Sequence, residues 1–262
     1  MDVERVAQSF RNPRKRAALT FIAMAGLAGA LDASVSASGA DATLVQRVIA
    51  EATRAGLTIR AARDLRAGTE TGKHQGWMAV ETVQQPSGQF TWSVLSEGGS
   101  ERTRNKVLRA LLDAEAEGLR DGAAEASQLT PANYQFDSYE PTGDGLVRIQ
   151  LTPRREDPRL VRGTLTVSAD GSPLVLEGTL AKSPSFWVRR VSIVKRFARI
   201  DGITLPTSIE SIAEVKMVGP SKLSMCYHYR EINGRSVAQS AASATSAIRH
   251  ANYALFLRPT SN

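Results

Sequence analysis

One cysteine, Cys226, is all that this chain of 262 residues holds, so no disulfide can form within it. Cysteine usage therefore leaves the redox compartment open, and the N-terminus has to supply it. Histidine is almost as scarce. His74, His228 and His250 are scattered, with no His-x-His or Cys-x-x-Cys spacing, so no metal site is expected. No Gly-x-Ser-x-Gly elbow is present to expose a nucleophilic serine. Glu97-Gly98-Gly99-Ser100 precedes a helical pattern but lacks the lysine of a phosphate-binding loop. Asp137 and Glu140 are near enough in sequence for acid–base work, yet the stretch from Asp137 to Gly143 reads as a solvated polar loop. These patterns announce no enzyme and imply no cofactor.

Long apolar runs are missing as well. The longest, Ala17 to Leu31, has fifteen residues. That is short of the roughly twenty needed to cross a hydrocarbon core, so the chain is expected not to span a membrane. The run has the length of a secretory h-region, and its flanks agree. Before it stands the basic Arg11-Asn-Pro-Arg-Lys-Arg16; after it come small residues, Ser34-Val-Ser-Ala-Ser-Gly-Ala40. Residues 1–40 therefore read as a cleavable signal, cut after Ala37 (Val35-Ser-Ala) or after Ala40 (Ser38-Gly-Ala). Export to the periplasm follows. No cysteine lies near either cut, so the chain is not itself a lipoprotein.

Charge of one sign is not strongly dominant. The net charge is +7, and residues 1–40 supply five basic and three acidic side chains of the total, leaving +5 on residues 41–262. No basic patch is interleaved with stacking aromatics, so nucleic acid is not an expected partner. With 42% hydrophobic and 23% charged residues, the rest is an ordinary globular chain with enough core to need no staple.

Periodicity organises that globular part. Leu44, Val45, Val48, Ile49 and Ala52 share one helical face, which places a short helix over Thr43 to Gly56. Trp77 to Val83 and Phe90 to Val94 read as strands joined by a turn at Pro86-Ser-Gly88. Ser100 to Glu117 reads as a helix capped by Ser100, with Val107, Leu108, Leu111 and Leu112 on one face and Gly118 as its left-handed stop.

From about Tyr134 the period becomes two. Val147, Ile149 and Leu151 alternate with polar residues, and Leu165 and Val167 precede an Asp170-Gly171 turn that leads to Leu174, Leu176 and Leu180. Trp187 to Ile200 is a long strand, turned by Asp201-Gly202 into Ile203 to Val218. There Thr207, Ile209, Ala213, Val215 and Met217 share a face. Gly219-Pro220 turns again into Lys222 to Ile232, with Leu223, Met225, Tyr227 and Tyr229 on one side and Ser224, Cys226, His228 and Arg230 on the other. Residues 236–262 form a tail, rich in Ser and Ala to Ser246, with Ala251 to Leu257 a last edge strand.

Successive hairpins make an antiparallel meander, and strands this long suit strong curvature. The expected fold is therefore α+β and mainly β: a strongly curved antiparallel sheet, an unclosed half-barrel, with a few helices over its concave apolar face. Two short helices cover only part of such a face, and the remainder is a surface for an apolar ligand.

The stretches Leu165-Thr-Val-Ser-Ala-Asp-Gly171, Glu177-Gly-Thr-Leu180, Phe197-Ala-Arg-Ile-Asp-Gly-Ile-Thr-Leu-Pro206 and Tyr227-His-Tyr-Arg-Glu-Ile-Asn233 set a rhythm of strand, Asp-Gly turn and strand. In this they resemble the LolA-like superfamily of periplasmic lipoprotein carriers, lipid-binding lipoproteins and RseB-type sensor domains. The likeness covers about residues 130–235, within a domain taken as 41–235. It implies an apolar cavity for lipid or lipoprotein acyl chains, no catalytic residue, no cofactor, and membrane-associated donor or acceptor proteins as partners. The helix-bearing first half departs from the carrier pattern.

The candidate ligand-binding residues are the alternating apolar ones: Trp92, Ile149, Leu165, Val167, Leu174, Leu176, Ile193, Phe197, Ile209, Leu223, Met225 and Tyr227. The same sheet can instead serve an RseB-like sensor that recognises a protein without transport. An enzyme would require polar groups converging on one place. Cys226 and His228 share a strand face, and a carboxylate beside both would be the sign of one.

Overall fold

The computed structural model describes residues 39–52, 56–72, 74–121 and 125–237. The h-region, the cut after Ala37 and the strand expected at Ala251 to Leu257 lie outside these residues. A cut after Ala40 falls within the first turn of helix α1 (Gly39–Ala52).

Ten long or medium strands and one short one build a single antiparallel sheet. They are β1 (Ile59–Thr69), β2 (Gly76–Gln84), β3 (Phe90–Gly99), β4 (Tyr134–Pro141), β5 (Val147–Pro153), β6 (Val161–Val167), β7 (Pro173–Leu180), β8 (Val188–Ile200), β9 (Ile203–Val215), β10 (Gly219–Ile232) and β11 (Arg235–Ser236). Their spatial order is β3-β2-β1-β10-β9-β8-β7-β6-β5-β4, with β11 beside β10. The chain thus meanders from β4 to β10, and the β1–β3 meander joins through β1 against β10. β3 and β4 remain as edges, so the barrel is not closed.

The turns follow from their dipeptides. Asp201-Gly202 and Asn233-Gly234 have positive φ at both positions, 49° and 76° in the first, 51° and 76° in the second. That geometry matches the right-handed twist of the flanking strands, which is why these pairs close hairpins β8–β9 and β10–β11.

The second helical segment begins where expected. Ser100 Oγ accepts a hydrogen bond from the Thr103 amide at 3.3 Å, an N-cap. The helix is not uniform: one α turn (Glu101–Thr103) leads into a π-helical turn (Arg104–Leu108) and then α2 (Arg109–Arg120). Gly118 does not stop it. This glycine is buried inside α2, the cap is Asp121, and the helix end lies against the β2–β3 turn, where a Cβ on Gly88 would stand 2.7 Å from the Leu119 carbonyl oxygen. The glycine that permits that approach is Gly88, and a buried glycine inside a helix looks the same in sequence as one that ends it.

Other expectations are corrected in detail. Asp137 to Pro141 belongs to strand β4 and is not a loop, because pairing with β5 outweighs its polar composition. Met217 and Val218 lie in the β9–β10 turn, with Met217 at φ 68° and 84% exposed, while Gly219 and Pro220 already belong to β10. Strand β1 was not expected at all.

Register fixes the inner face. Rungs such as Leu65–Met225–Ile209 and Ile149–Leu165–Leu176 run across the sheet. Over them lie Val45 and Val48 of α1 and Leu108, Leu111, Leu112 and Leu119 of the second segment, all in one buried apolar cluster. Among the described residues, no helix is long and apolar enough to cross a membrane.

Candidate functional site

Eleven of the twelve candidate residues share that cluster. Ile149, Leu165, Val167, Leu176, Ile193, Ile209, Met225 and Tyr227 are buried within it, and Trp92, Phe197 and Leu223 pack at its margin. Leu174 stands apart. The β6–β7 ladder slips there, pairing Thr166 with Val175 and Val167 with Pro173, so Leu174 is a bulge residue outside the alternation.

The expected open remainder of the concave face is closed over these residues. Ile149, Leu165 and Val167 are 0% exposed, and Ile193, Ile209 and Met225 are 1% exposed. Trp92, Phe197 and Leu223 at the margin stay partly exposed.

Beneath α2 the apolar interior holds charges. Arg63 of β1 is 5% exposed and sits between Phe90 and Tyr227, its guanidinium carbon 5.0 and 4.8 Å from their ring centres. Its Nη1 donates to Glu115 Oε2 of α2 at 2.7 Å, with both side chains buried. Tyr227 stacks on Tyr229, centroids 6.1 Å apart. Lys195 of β8 shares this inner face, paired with Leu176 on one side and Ile209 on the other. It is 0% exposed; its Nζ lies 5.1 Å from the ring centre of Phe197 and finds no hydrogen-bond acceptor among the described residues. Arg63 Nε likewise has none among them.

The electrostatics follow from this burial. Desolvation, and secondarily the charge of Arg63, lower the Lys195 ammonium to about 7, although Glu115 pulls the other way. Desolvation pushes the Tyr227 and Tyr229 hydroxyls up, so both stay neutral. Arg63 loses to burial but gains more from the charge and hydrogen bond of Glu115, and its value is raised.

On the opposite, convex face, His228 Nε2 lies 3.0 Å from Asp64 Oδ2, and Cys226 stands directly across the β1–β10 ladder from Asp64. A carboxylate thus adjoins both Cys226 and His228. The order differs from that of a triad, in which the base stands between nucleophile and carboxylate. Here the carboxylate is the group across from the thiol. Cys226 also sits mid-ladder, between β1 and β9, where backbone N–H groups pair with neighbouring strands and are not gathered into an oxyanion hole.

The sequence reading missed Arg63 and Lys195, yet both left a signal. Ala61, Arg63, Leu65 and Ala67 alternate with Arg60, Ala62, Asp64 and Arg66, but the charges hid the strand. Lys195 stands at the inward position between Ile193 and Phe197. Of the tryptophans, Trp77 lies on the convex face over Gly98, where a Cβ would meet its indole at 2.7 Å. Trp187 precedes β8 and packs edge-on to the exposed Phe186, centroids 5.6 Å apart.

No family model matches the chain, and no curated protein matches it in sequence. Among solved structures, it is similar to a LolA superfamily protein from Nitrosomonas europaea, with 11% identity, a TM-score of 0.43, and coverage of 78% of this chain and 96% of that one. It is also similar to a DUF1329 family protein from Desulfovibrio piger ATCC 29098, with 11% identity, a TM-score of 0.39, and coverage of 75% and 91%.

Proposed function

We propose that this chain is an exported binding or carrier protein for an apolar ligand, the acyl chains of a lipid or lipoprotein, of the outer-membrane lipoprotein-sorting type. Residues 1–40 act as a signal cleaved after Ala37 or Ala40, residues 41–235 form the binding domain, and 236–262 a tail. The periplasm is the site of action, and the partners are membrane-associated donors and acceptors of the ligand. No catalytic step is involved.

One observation carries this reading: a large apolar cluster lines the inner face of an unclosed sheet, interrupted by Arg63 and Lys195, and one of the two segments over it contains a π-helical turn. Single π turns inside α-helices recur at functional sites. Lifting α2 about that turn, together with displacement of α1, exposes Trp92, Ile149, Leu165, Val167, Leu176, Ile193, Phe197, Ile209, Leu223, Met225 and Tyr227; Leu174 is left out. An acyl chain then replaces the helix side chains, contributing about 0.8 kcal/mol for each buried CH₂.

A second reading, an RseB-like sensor or protein-interaction module without transport, is favoured by the closure of the inner face. Native mass spectrometry of protein gently isolated from the periplasm, with lipid extraction, separates the two. Stoichiometric acyl-chain lipid supports the carrier. A clean apo mass and no uptake of fluorescent fatty acid removes it and leaves the interaction module.

A further inference from the structure

The interior charge of this protein does not balance. Arg63 and Glu115 neutralise each other through a 2.7 Å ion pair, and Lys195 remains as a buried cation with no acceptor among the described residues. Burial disfavours the charged form of Lys195, whereas Met or Leu at the same inward position packs without that penalty. The position has no shortage of apolar neighbours, Leu176 and Ile209 across the rungs and Ile193 and Phe197 along the strand. Packing alone gives no reason for a lysine there.

The second donor points the same way. Arg63 Nε is also buried and without an acceptor among the described residues, while Nη1 reaches Glu115 and lies 3.8 Å from Met225 Sδ. Lys195 and Arg63 therefore approach the space under α2 from opposite sides of the β9–β10 pair, Lys195 from β8 and Arg63 from β1. A group with one negative charge satisfies what the protein leaves open, and the surrounding apolar cluster fits the tail to which it is attached.

We propose that Lys195, seconded by Arg63, anchors the monoanionic head of an amphiphile, a long-chain carboxylate, whose chain lies along the inner face of the sheet. This rests on the apolar-ligand reading above and adds what that reading lacks, a polar determinant of which ligand is taken. A single charge is specified because a single cation is uncompensated; a doubly charged phosphate monoester would be left half-paired. A phospholipid diester presents the same single charge on a bulkier head.

Binding the anion restores an ordinary affinity for the proton at Nζ. The charged groups that act on it are Glu115 from α2 and Arg63 from β1, and the ring beside it is that of Phe197, so the incoming carboxylate is the one new charge. Above neutral pH, carboxylate binding is then accompanied by uptake of one proton, and binding of an uncharged analogue is not.

The test uses the full chain and three probes: oleate, oleyl alcohol and phosphatidylglycerol. Calorimetric titration at pH 9 in two buffers of different ionisation enthalpy gives affinity and proton uptake together. Wild type is expected to bind oleate at least tenfold more tightly than oleyl alcohol, taking up close to one proton. Lys195→Met is expected to lose that preference and the proton uptake while keeping its affinity for the alcohol. Stronger binding of phosphatidylglycerol than of oleate, lost in the same variant, supports the anchor and assigns the charge to a diester head. Equal affinities for oleate and alcohol in wild type, or an unchanged preference in Lys195→Met, overturn the anchor but leave the apolar-ligand reading standing. Failure of wild type to bind any of the three overturns both. The proton count needs no variant, so the result does not depend on how Lys195→Met folds.

Discussion

Arg63 Nη1 and Glu115 Oε2 meet at 2.7 Å with both side chains about 95% buried, and they join a central strand to the helix that covers the sheet. Such a pair contributes little net stability compared with an apolar replacement, but removing one partner strands the other. Glu115→Gln is therefore expected to lower unfolding stability by about 3–5 kcal/mol. The double change Arg63→Met with Glu115→Leu recovers most of it. Urea unfolding of wild type, the single variants Arg63→Met and Glu115→Leu, and the double variant checks the cycle, and additive losses in the double variant would show that the two residues act separately.

Lys195 makes the opposite prediction, because its folded state disfavours the charge. The folded value of about 7 lies below the ordinary 10.5, so between these limits the unfolded chain binds one more proton than the folded one. Stability then rises with pH across that window, by at most about 1.4 kcal/mol per unit. Lys195→Met lacks this slope and is the more stable protein at pH 7. Taking the difference between the two proteins cancels the tyrosines, whose raised hydroxyls favour the unfolded state above pH 10 in both. A flat difference across pH 7 to 10 in chemical denaturation would contradict the lowered value.

The fold was legible because two independent patterns agree along most of the chain. Alternation of Ile149, Leu165 and Ile209 with polar neighbours, and the Asp170-Gly171 and Asp201-Gly202 pairs at the reversals, fix both strand faces and hairpins. Strand β1 was not legible because its inward positions include Arg63, whose charge is acceptable only beside Glu115, 52 residues away. Lys195 was hidden for a related reason: an inward lysine breaks the apolar pattern, and pattern reading discards it as noise. Leu174 failed differently. Parity along a strand assumes an unbroken ladder, and a bulge set by β6 moved it off the face. Two of the positions that parity reading missed, Arg63 and Lys195, are thus the buried charges of the inner face.

Gly163 and Gly178 face each other across β6 and β7, and their lack of side chains is a condition for the curvature there. A Cβ on Gly163 would overlap the Glu177 carbonyl oxygen, and one on Gly178 the Arg162 carbonyl oxygen. Backbone cannot retreat as a flexible side chain can, so Gly163→Ala is expected to cost about 1–3 kcal/mol. Gly143→Ala is the control, since a Cβ there meets nothing within 4 Å. Thermal melts of the two variants should differ by several degrees, and equal midpoints would mean that the strands separate freely at this point.

Asp157 sets the acid limit of the β5–β6 connection. Burial alone would raise its carboxyl, but hydrogen bonds from Arg159 outweigh that and hold it near 2. Oδ1 accepts from the Arg159 amide and from Nε, both at 2.9 Å, and Oδ2 accepts from Nη2 at 2.7 Å and from Arg155 Nε at 3.4 Å. A carboxylate depressed on folding stabilises the protein above its unfolded value near 4, and the contribution disappears as pH falls from 4 towards 2. The connection matters beyond itself. Arg155 Nη1 also donates to Asn133 Oδ1 at 2.7 Å, and the amide of Leu160 to the Asp157 carbonyl at 3.1 Å, so this loop ties the start of β4 to the start of β6. Asp157→Asn keeps the shape but loses the charge, and its stability should be lower than wild type at pH 6 and converge with it near pH 2. Acid titration followed by far-ultraviolet circular dichroism checks this. Curves that stay parallel down to pH 2 would assign the acid sensitivity to other carboxylates.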